Sequence, residues 1–252
     1  MAVLPGVPIV DAHVYLGEGY HLSFGVEDLL EQMDEAGVER AVVCPVDRFV
    51  AVHNREGNDL VLEAVRSHGD RLSGMAAVNP WFEGEAVDEV RRALGEGLAG
   101  LFVHSVYQGF RLDDHIVDPL LEAVAEFDVP VYVHTGTAAQ AEPFQAAELA
   151  RRFPGLNFIM GHGGSSDYGE DAVRALEFAP NLWLETSRNG PANYNLWRVK
   201  ELTSRVVFGS SAPEYISAVE IEILADVFAS REEREAIFSK NIETVFKGRL
   251  RP

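Results

Sequence analysis

The sequence predicts an α/β protein built as one (β/α)8 TIM-type barrel with an extra C-terminal helix, on three observations. Eight short apolar runs recur at spacings of roughly thirty residues, each followed by a stretch of helical periodicity. Four histidines fall at the carboxyl ends of those runs, where such barrels carry their chemistry. No dinucleotide glycine fingerprint or phosphate loop follows the first run, which removes the main reason to prefer an open doubly wound sheet.

The first strand covers residues 9–15 and carries Asp11, His13 and Tyr15 at alternate positions. Period-two alternation puts those three on one face and Val10, Ala12 and Val14 on the other. Val26, Leu29, Leu30, Met33 and Ala36 then follow the spacing of an amphipathic helix, which Gly37 closes. The second strand is 41–45 with a helix at 58–68, and the third is 74–78 with a helix at 85–94, stopped by Gly95 and Gly97. The fourth strand, 98–104, leads through a loop at 107–110 into a helix at 114–127. The fifth and sixth strands are 129–134 and 157–160, with helices at 141–153 and 171–178. Residues 183–186 make the seventh strand, followed by a short helix at 195–202. The eighth is 205–209, before two closing helices at 218–228 and 232–246. No linker, low-complexity tract or change of composition divides the chain, so residues 1–252 read as one domain.

With 47% hydrophobic residues the chain can bury a large core. Its 21 basic and 40 acidic residues give a net charge of −19, which works against binding nucleic acid or an anionic membrane. Cys44 is the single cysteine, so no intrachain disulfide forms, and a small buried residue is a better reading of it than a nucleophile. Residues 1–6 lack a basic leader region, and no apolar run approaches the roughly 20 residues that span a bilayer. A soluble cytoplasmic protein is expected.

His13, His104, His134 and His162 end the first, fourth, fifth and sixth strands and open onto one mouth. Alternation pairs Phe102 with His104, Tyr132 with His134, and Phe158 and Met160 with His162, so bulky side chains are expected beneath each imidazole. Imidazoles converging above a dry core are the usual way to hold a divalent transition metal such as zinc. The blander reading is a hydrogen-bonded structural histidine, and His104 taken alone carries it equally well. His21, His53, His68 and His115 fall in loops or helices and have no such geometry. Asp11 either orients a ligand imidazole or ties down its strand.

Asp11-Ala12-His13, Val133-His134-Thr135-Gly136, Met160-Gly161-His162-Gly163-Gly164, the run 207–213 and the tail 237–242 together resemble the amidohydrolase-related barrels. The branch they are most similar to is that of aminocarboxymuconate semialdehyde decarboxylase and related metal-dependent hydrolases. The resemblance implies one divalent metal, commonly zinc, held by a His-x-His on the first strand, a histidine on the fifth and an aspartate after the eighth. A further histidine after the sixth strand acts as acid or base. His13 matches the first ligand, His134 the fifth-strand ligand and His162 the catalytic histidine.

Two positions depart from that pattern. Tyr15 stands in place of the second histidine and Ser211 in place of the aspartate, and a neutral phenol or hydroxyl is a poorer ligand. His162 is then expected to complete a set with His13 and His134. His104, Glu185 and Glu214 are further candidates, although a solvated or ion-paired role suits the two glutamates better. His162, Tyr15 and His104 are the expected acids and bases. Phe102 occupies the place where other branches use a carboxylated lysine, so one metal is expected rather than two. Gly163 and Gly164 allow a ligand close to the backbone, while Tyr107, Arg111, Arg188, Asn189 and Trp197 lie in loops suited to a substrate pocket. An arginine there suits a small-molecule substrate bearing a carboxylate. The resemblance implies a metal-dependent hydrolase of a small cyclic ester or amide. A non-oxidative decarboxylase and a metal-free binding barrel are the alternatives, and a homodimer is the implied assembly.

Overall fold

The structure, a computed structural model, describes residues 4, 6–165 and 167–250. Residues 1–3 and 5 of the leader reading lie outside the described residues. The chain runs β1 (Val10–Glu18), β2 (Ser23–Phe24), α1 (Val26–Ala36), β3 (Arg40–Pro45), α2 (Asp47–Ala51), α3 (Asn54–Ser67), β4 (Leu72–Ala77), α4 (Glu83–Gly95) and β5 (Gly100–Val103). It continues through α5 (Ser105–Gln108), α6 (Asp118–Ala125), β6 (Val131–His134), α7 (Pro143–Arg152), β7 (Phe158–Gly161), α8 (Gly169–Phe178), β8 (Leu182–Glu185) and α9 (Pro191–Val199). β9 (Val206–Val207), α10 (Ser217–Val227), α11 (Arg231–Glu235) and α12 (Asn241–Val245) complete it.

Local chemistry sets the helix ends. α1 stops at Gly37, whose φ of +73° is the left-handed cap and whose N–H returns to Asp34 O. α7 opens on Pro143, behind a capping box in which Glu142 and Gln145 satisfy one another's backbone N–H groups. Parallel strands covered on both sides become continuous apolar runs, and β3 through β9 are buried almost throughout.

The strands form one sheet in the order β2-β1-β3-β4-β5-β6-β7-β8-β9, parallel except for the β2 hairpin beside β1. The ring closes beyond β9. Ala12 and Tyr15 donate backbone hydrogen bonds to Phe208 O and Ala212 O, and Ser211 donates to His13 O, each at 2.9 Å. The expected (β/α)8 barrel is therefore what forms. Its interior is filled by Val42, Met75, Phe102, Tyr132, Ile159 and Val207, with Ile242 and Val245 of α12 and Phe246 just after it in the same cluster. A second apolar layer joins the outer faces of the strands to the helices.

Several boundaries differ from the expected ones for physical reasons. α2 and α5 are too short to show a helical period, so they went unpredicted. β9 shortens to two residues because 208–212 turns away to pair with β1. The last helix is broken by a π-helical stretch at Ala236–Lys240 between α11 and α12. Alternation also fails at two places. The register of β1 against β3 shifts between Asp11 and Val14, so Val10 and Ala12 pack inside the barrel with Tyr15 while Val14 and Leu16 pack outside. Asp11 is thus not on the face of His13 and Tyr15. On β7 it is Ile159 that points inward, and Phe158 and Met160 belong to the outer layer, not beneath His162.

Candidate active site

His104, His134, His162 and Glu185 stand at or just after the carboxyl ends of β5, β6, β7 and β8, whereas His13 and Tyr15 lie midway along the long β1, which runs on past them, and Tyr132 lies within β6. His13 stacks on Tyr132 with centroids 4.4 Å apart and on Phe102 at 5.4 Å, and meets Tyr15 edge-on at 4.7 Å. His104 stacks on His134 at 3.7 Å and on Tyr107 at 3.8 Å, and His134 meets His162 edge-on at 4.6 Å. The four histidines do come together. Such packing needs space beside the strands, and a Cβ at Gly161 or Gly209 would collide with the Tyr132 ring or the Glu185 carboxylate.

Glu185, fully buried, organises the cluster. Its Oε2 accepts hydrogen bonds from Tyr132 Oη, Ser187 Oγ and the His162 N–H, all at 2.8 Å, and its Oε1 accepts from the Ser187 N–H at 2.6 Å. Each hydroxyl has one hydrogen, and both spend it on this carboxylate. Toward the imidazoles they are acceptors. Tyr132 Oη takes the Nδ1–H of His13 at 3.1 Å, and Ser187 Oγ takes that of His162 at 2.7 Å. Both rings therefore present an Nε2 lone pair. His162 Nε2 lies 2.9 Å from His134 Nδ1, which must carry the hydrogen, so the His134 Nε2 is a lone pair too. His13 Nε2 is buried with no hydrogen-bond partner among the described residues. One carboxylate sets three tautomers. His104 differs: its Nδ1 accepts from the Tyr107 N–H at 3.2 Å, which leaves the hydrogen on Nε2.

Burial keeps these imidazoles neutral. It holds His13, His104 and His162 well below the ordinary histidine range and His134 at about 3, and the Arg188 guanidinium pushes all four the same way. Burial raises the phenols of Tyr15 and Tyr132 and carries Asp11 up to about 7, although Asp11 accepts from the N–H groups of His13 and Ser210. Glu185 is also raised by burial, against the pull of its hydrogen bonds.

Above the cluster, Ser211 Oγ donates to Glu214 Oε2 at 3.0 Å, and Arg188 Nη1 lies 3.7 Å from the same oxygen. Asn189 holds the His162 carbonyl at 2.6 Å. Other candidates stay away from the site. Arg111 is exposed and paired with Asp113, Trp197 is buried against Gly163, and Cys44 is enclosed in the barrel with its thiol raised by burial. His53 and His115 pair with Glu56 and Asp118 on the surface. Sequence reasoning took Tyr132 only as bulk beneath His134, missed Ser187, and preferred a solvated or ion-paired Glu185 to a ligand. The available signal was a carboxylate ending the apolar run Leu182-Trp183-Leu184, followed by two hydroxyl residues.

A family model described as amidohydrolase matches residues 12–248. The chain belongs to the amidohydrolase family. The match places it among enzymes. A manganese-containing crystal structure of 5-carboxyvanillate decarboxylase from Novosphingobium aromaticivorans is similar with a TM-score of 0.80 and 17% identity, covering 96% of each chain. For 2,6-dihydroxybenzoate decarboxylase from Rhizobium the TM-score is 0.75 at 18% identity, covering 96% of this chain and 99% of that one. A probable 2-pyrone-4,6-dicarboxylic acid hydrolase from Acinetobacter baumannii, with citric acid bound, gives 0.70 at 17%, covering 95% and 99%. At these identities the likeness speaks to the fold. No curated protein matches by sequence.

The family implies a divalent metal, and the donors present here do not fit it. Tyr15 and Ser211 replace two ligands, and the Ser211 hydroxyl is committed to Glu214. His162 Nε2 is committed to His134 Nδ1. Among the described residues no group of three or more histidine, cysteine, aspartate or glutamate side chains is arranged to hold an ion. Only His13 and His134 keep the form of a ligand, with Nδ1 anchored and an Nε2 lone pair free, and two imidazoles fall short of a full set.

Proposed function

We propose that this amidohydrolase-family enzyme is a non-oxidative decarboxylase of a small, planar, hydroxyl-bearing carboxylic acid, working through its imidazoles rather than through zinc. The observation that carries the reading is a buried bare acceptor, His13 Nε2, in a histidine cluster whose four rings feel the charge of Arg188, a partly exposed guanidinium beside Glu214. The cation suits a carboxylate and the acceptor suits a hydroxyl. The decarboxylases among the structural neighbours take substrates of that class by name. Hydrolysis is less well supported, because the carboxylate that would activate water is Ser211 here, and Glu185 has its oxygens occupied by four donors.

In this mechanism Arg188 receives the substrate carboxylate and His13 Nε2 accepts the proton of a ring hydroxyl. The resulting imidazolium is stabilised through Tyr132 by Glu185, as a buried carboxylate stabilises the histidine of a triad. The His13 imidazolium delivers that proton to the electron-rich ring carbon and becomes neutral again. The C–C bond then breaks, its electron pair stays with the ring, and CO2 leaves. Solvent supplies the proton that the phenolate oxygen takes up as the product departs. One proton is consumed per turnover, as loss of a carboxylate requires.

The test is chelator-washed protein incubated with 2-hydroxy- and 2,6-dihydroxybenzoates, with product and CO2 measured together. Equal amounts of CO2 and phenol support the reading. Hydrolysis of a lactone such as 2-pyrone-4,6-dicarboxylate, with no CO2 from any acid, contradicts it.

A further inference from the structure

The cluster is closed to solvent at its centre. His13, His162 and Ser211 are fully buried, and His104 is 3% exposed. Surface grooves of about 450 Å³ and 520 Å³ are lined by other parts of the chain, from Val52 to Arg92 and from Pro80 to Leu120. Of the four histidines His134 alone is half-buried, so a substrate that is to reach His13, His104 or His162 has to displace protein. The contact in its way is Arg188 with Glu214, which joins the loop after β8 to the loop after β9.

We propose that Glu214 is an internal stand-in for the substrate carboxylate, held on Arg188 until a ligand carboxylate displaces it. This rests on the functional reading above. Three features support it. The ion pair is long, 3.7 Å through a single guanidinium nitrogen, and with Tyr215 as a further partner the five N–H groups of Arg188 still leave donors for a two-point carboxylate contact. Its two side chains are 37% and 28% exposed, so the pair is weak enough to exchange. Glu214 has a second place to rest, because Ser211 Oγ donates to it at 3.0 Å and the Glu214 N–H bonds Ser211 O at 3.0 Å. Arg188 and Ser211 both sit at φ +59°, a left-handed conformation that is costly without glycine. The hydroxyl that replaces the family's aspartate thus has a use: it holds the displaced carboxylate without adding a charge beside the histidines.

The experiment is calorimetric titration of wild type, Glu214→Gln, Arg188→Gln and the double variant with 2,6-dihydroxybenzoate and with its neutral amide. Removing the competing charge is expected to tighten binding of the acid by about fivefold, the scale of a partly exposed ion pair. Amide binding should stay within about twofold, since an amide makes no ion pair with the guanidinium. The gain should vanish when Arg188 is also replaced. Acid binding that depends on Arg188 but is unchanged or weakened by Glu214→Gln overturns the stand-in and leaves the functional reading intact. Absence of acid binding in every variant overturns both.

Discussion

His134 and His162 face each other nitrogen to nitrogen, Nδ1 of the first 2.9 Å from Nε2 of the second. Only one hydrogen fits in that contact, and Ser187 and Glu185 decide whose it is. The two imidazoles that the family pattern offers for a metal and its chemistry are here bonded to one another. A hydrogen-bonded chain runs from Glu185 through Ser187 and His162 to His134, and a second runs from Glu185 through Tyr132 to His13.

Ser187→Ala removes the acceptor of the His162 Nδ1–H and one donor to Glu185. Leaving those buried groups unpaired is expected to cost about 1–3 kcal/mol of stability. Turnover should fall on the order of tenfold to a hundredfold with KM little changed, because the rings are disordered rather than the substrate anchor lost. Ser187→Thr keeps the hydroxyl and should recover most of the loss. Denaturant titration and steady-state kinetics on the three proteins check this.

Stability should rise with pH through the acid range. His134 titrates at about 3 in the fold, below its ordinary 6.5, so between those values the unfolded chain binds more protons and folding gains as pH rises. His13, His104 and His162 shift the same way. Asp11 opposes them: its folded value of about 7 lies above 3.8, so over that window the folded chain holds the extra proton and stability falls with pH. Glu220, carried up to about 7 by burial, and Glu185, raised by burial, act with Asp11, so four imidazoles against three carboxyls give a rise that levels off near pH 6.5. Asp11→Asn should steepen it, as read from urea midpoints between pH 4 and 8.

Restoring the family's ligands should restore a metal. Purified wild-type protein is expected to hold under about a tenth of an equivalent of zinc or manganese, because neutral Tyr and Ser are poor donors. Tyr15→His combined with Ser211→Asp adds an imidazole and a carboxylate and should raise that to about one equivalent. Elemental analysis of both proteins decides it. A stoichiometric ion in the wild type would sink the metal-free reading.

Phe102 fills the barrel between His13 and His104, with centroids 5.4 Å and 6.1 Å from the two rings. Phe102→Ala opens a cavity there and should cost about 3–5 kcal/mol. Phe102→Leu should cost less and keep ligand binding, as thermal melts and titration of the same samples will report.

The barrel was legible because each strand is a short apolar run followed by a helical period, and the strand-end histidines could be placed by counting along those runs. What escaped depends on contacts distant in sequence. The β1 bulge that turns Asp11 away from His13 exists because Ala12 and Tyr15 pair with Phe208 and Ala212. Glu185 reads in sequence as a solvated or ion-paired carboxylate near the mouth, and its role depends on Tyr132, 53 residues away, which donates to it. Ser211 was legible as a departure from the family, but its link to Glu214 and Arg188 needs the turn after β9.

The most direct measurement is ¹⁵N NMR of histidine-labelled protein at neutral pH, recorded before and after addition of zinc. It reads which nitrogen of each ring carries hydrogen and whether an ion binds. The prediction is neutral Nδ1–H tautomers for His13, His134 and His162, an Nε2–H tautomer for His104, and no change with zinc. Protonated Nε2 on His13 or His162, or zinc-induced shifts at these three rings, would contradict the account.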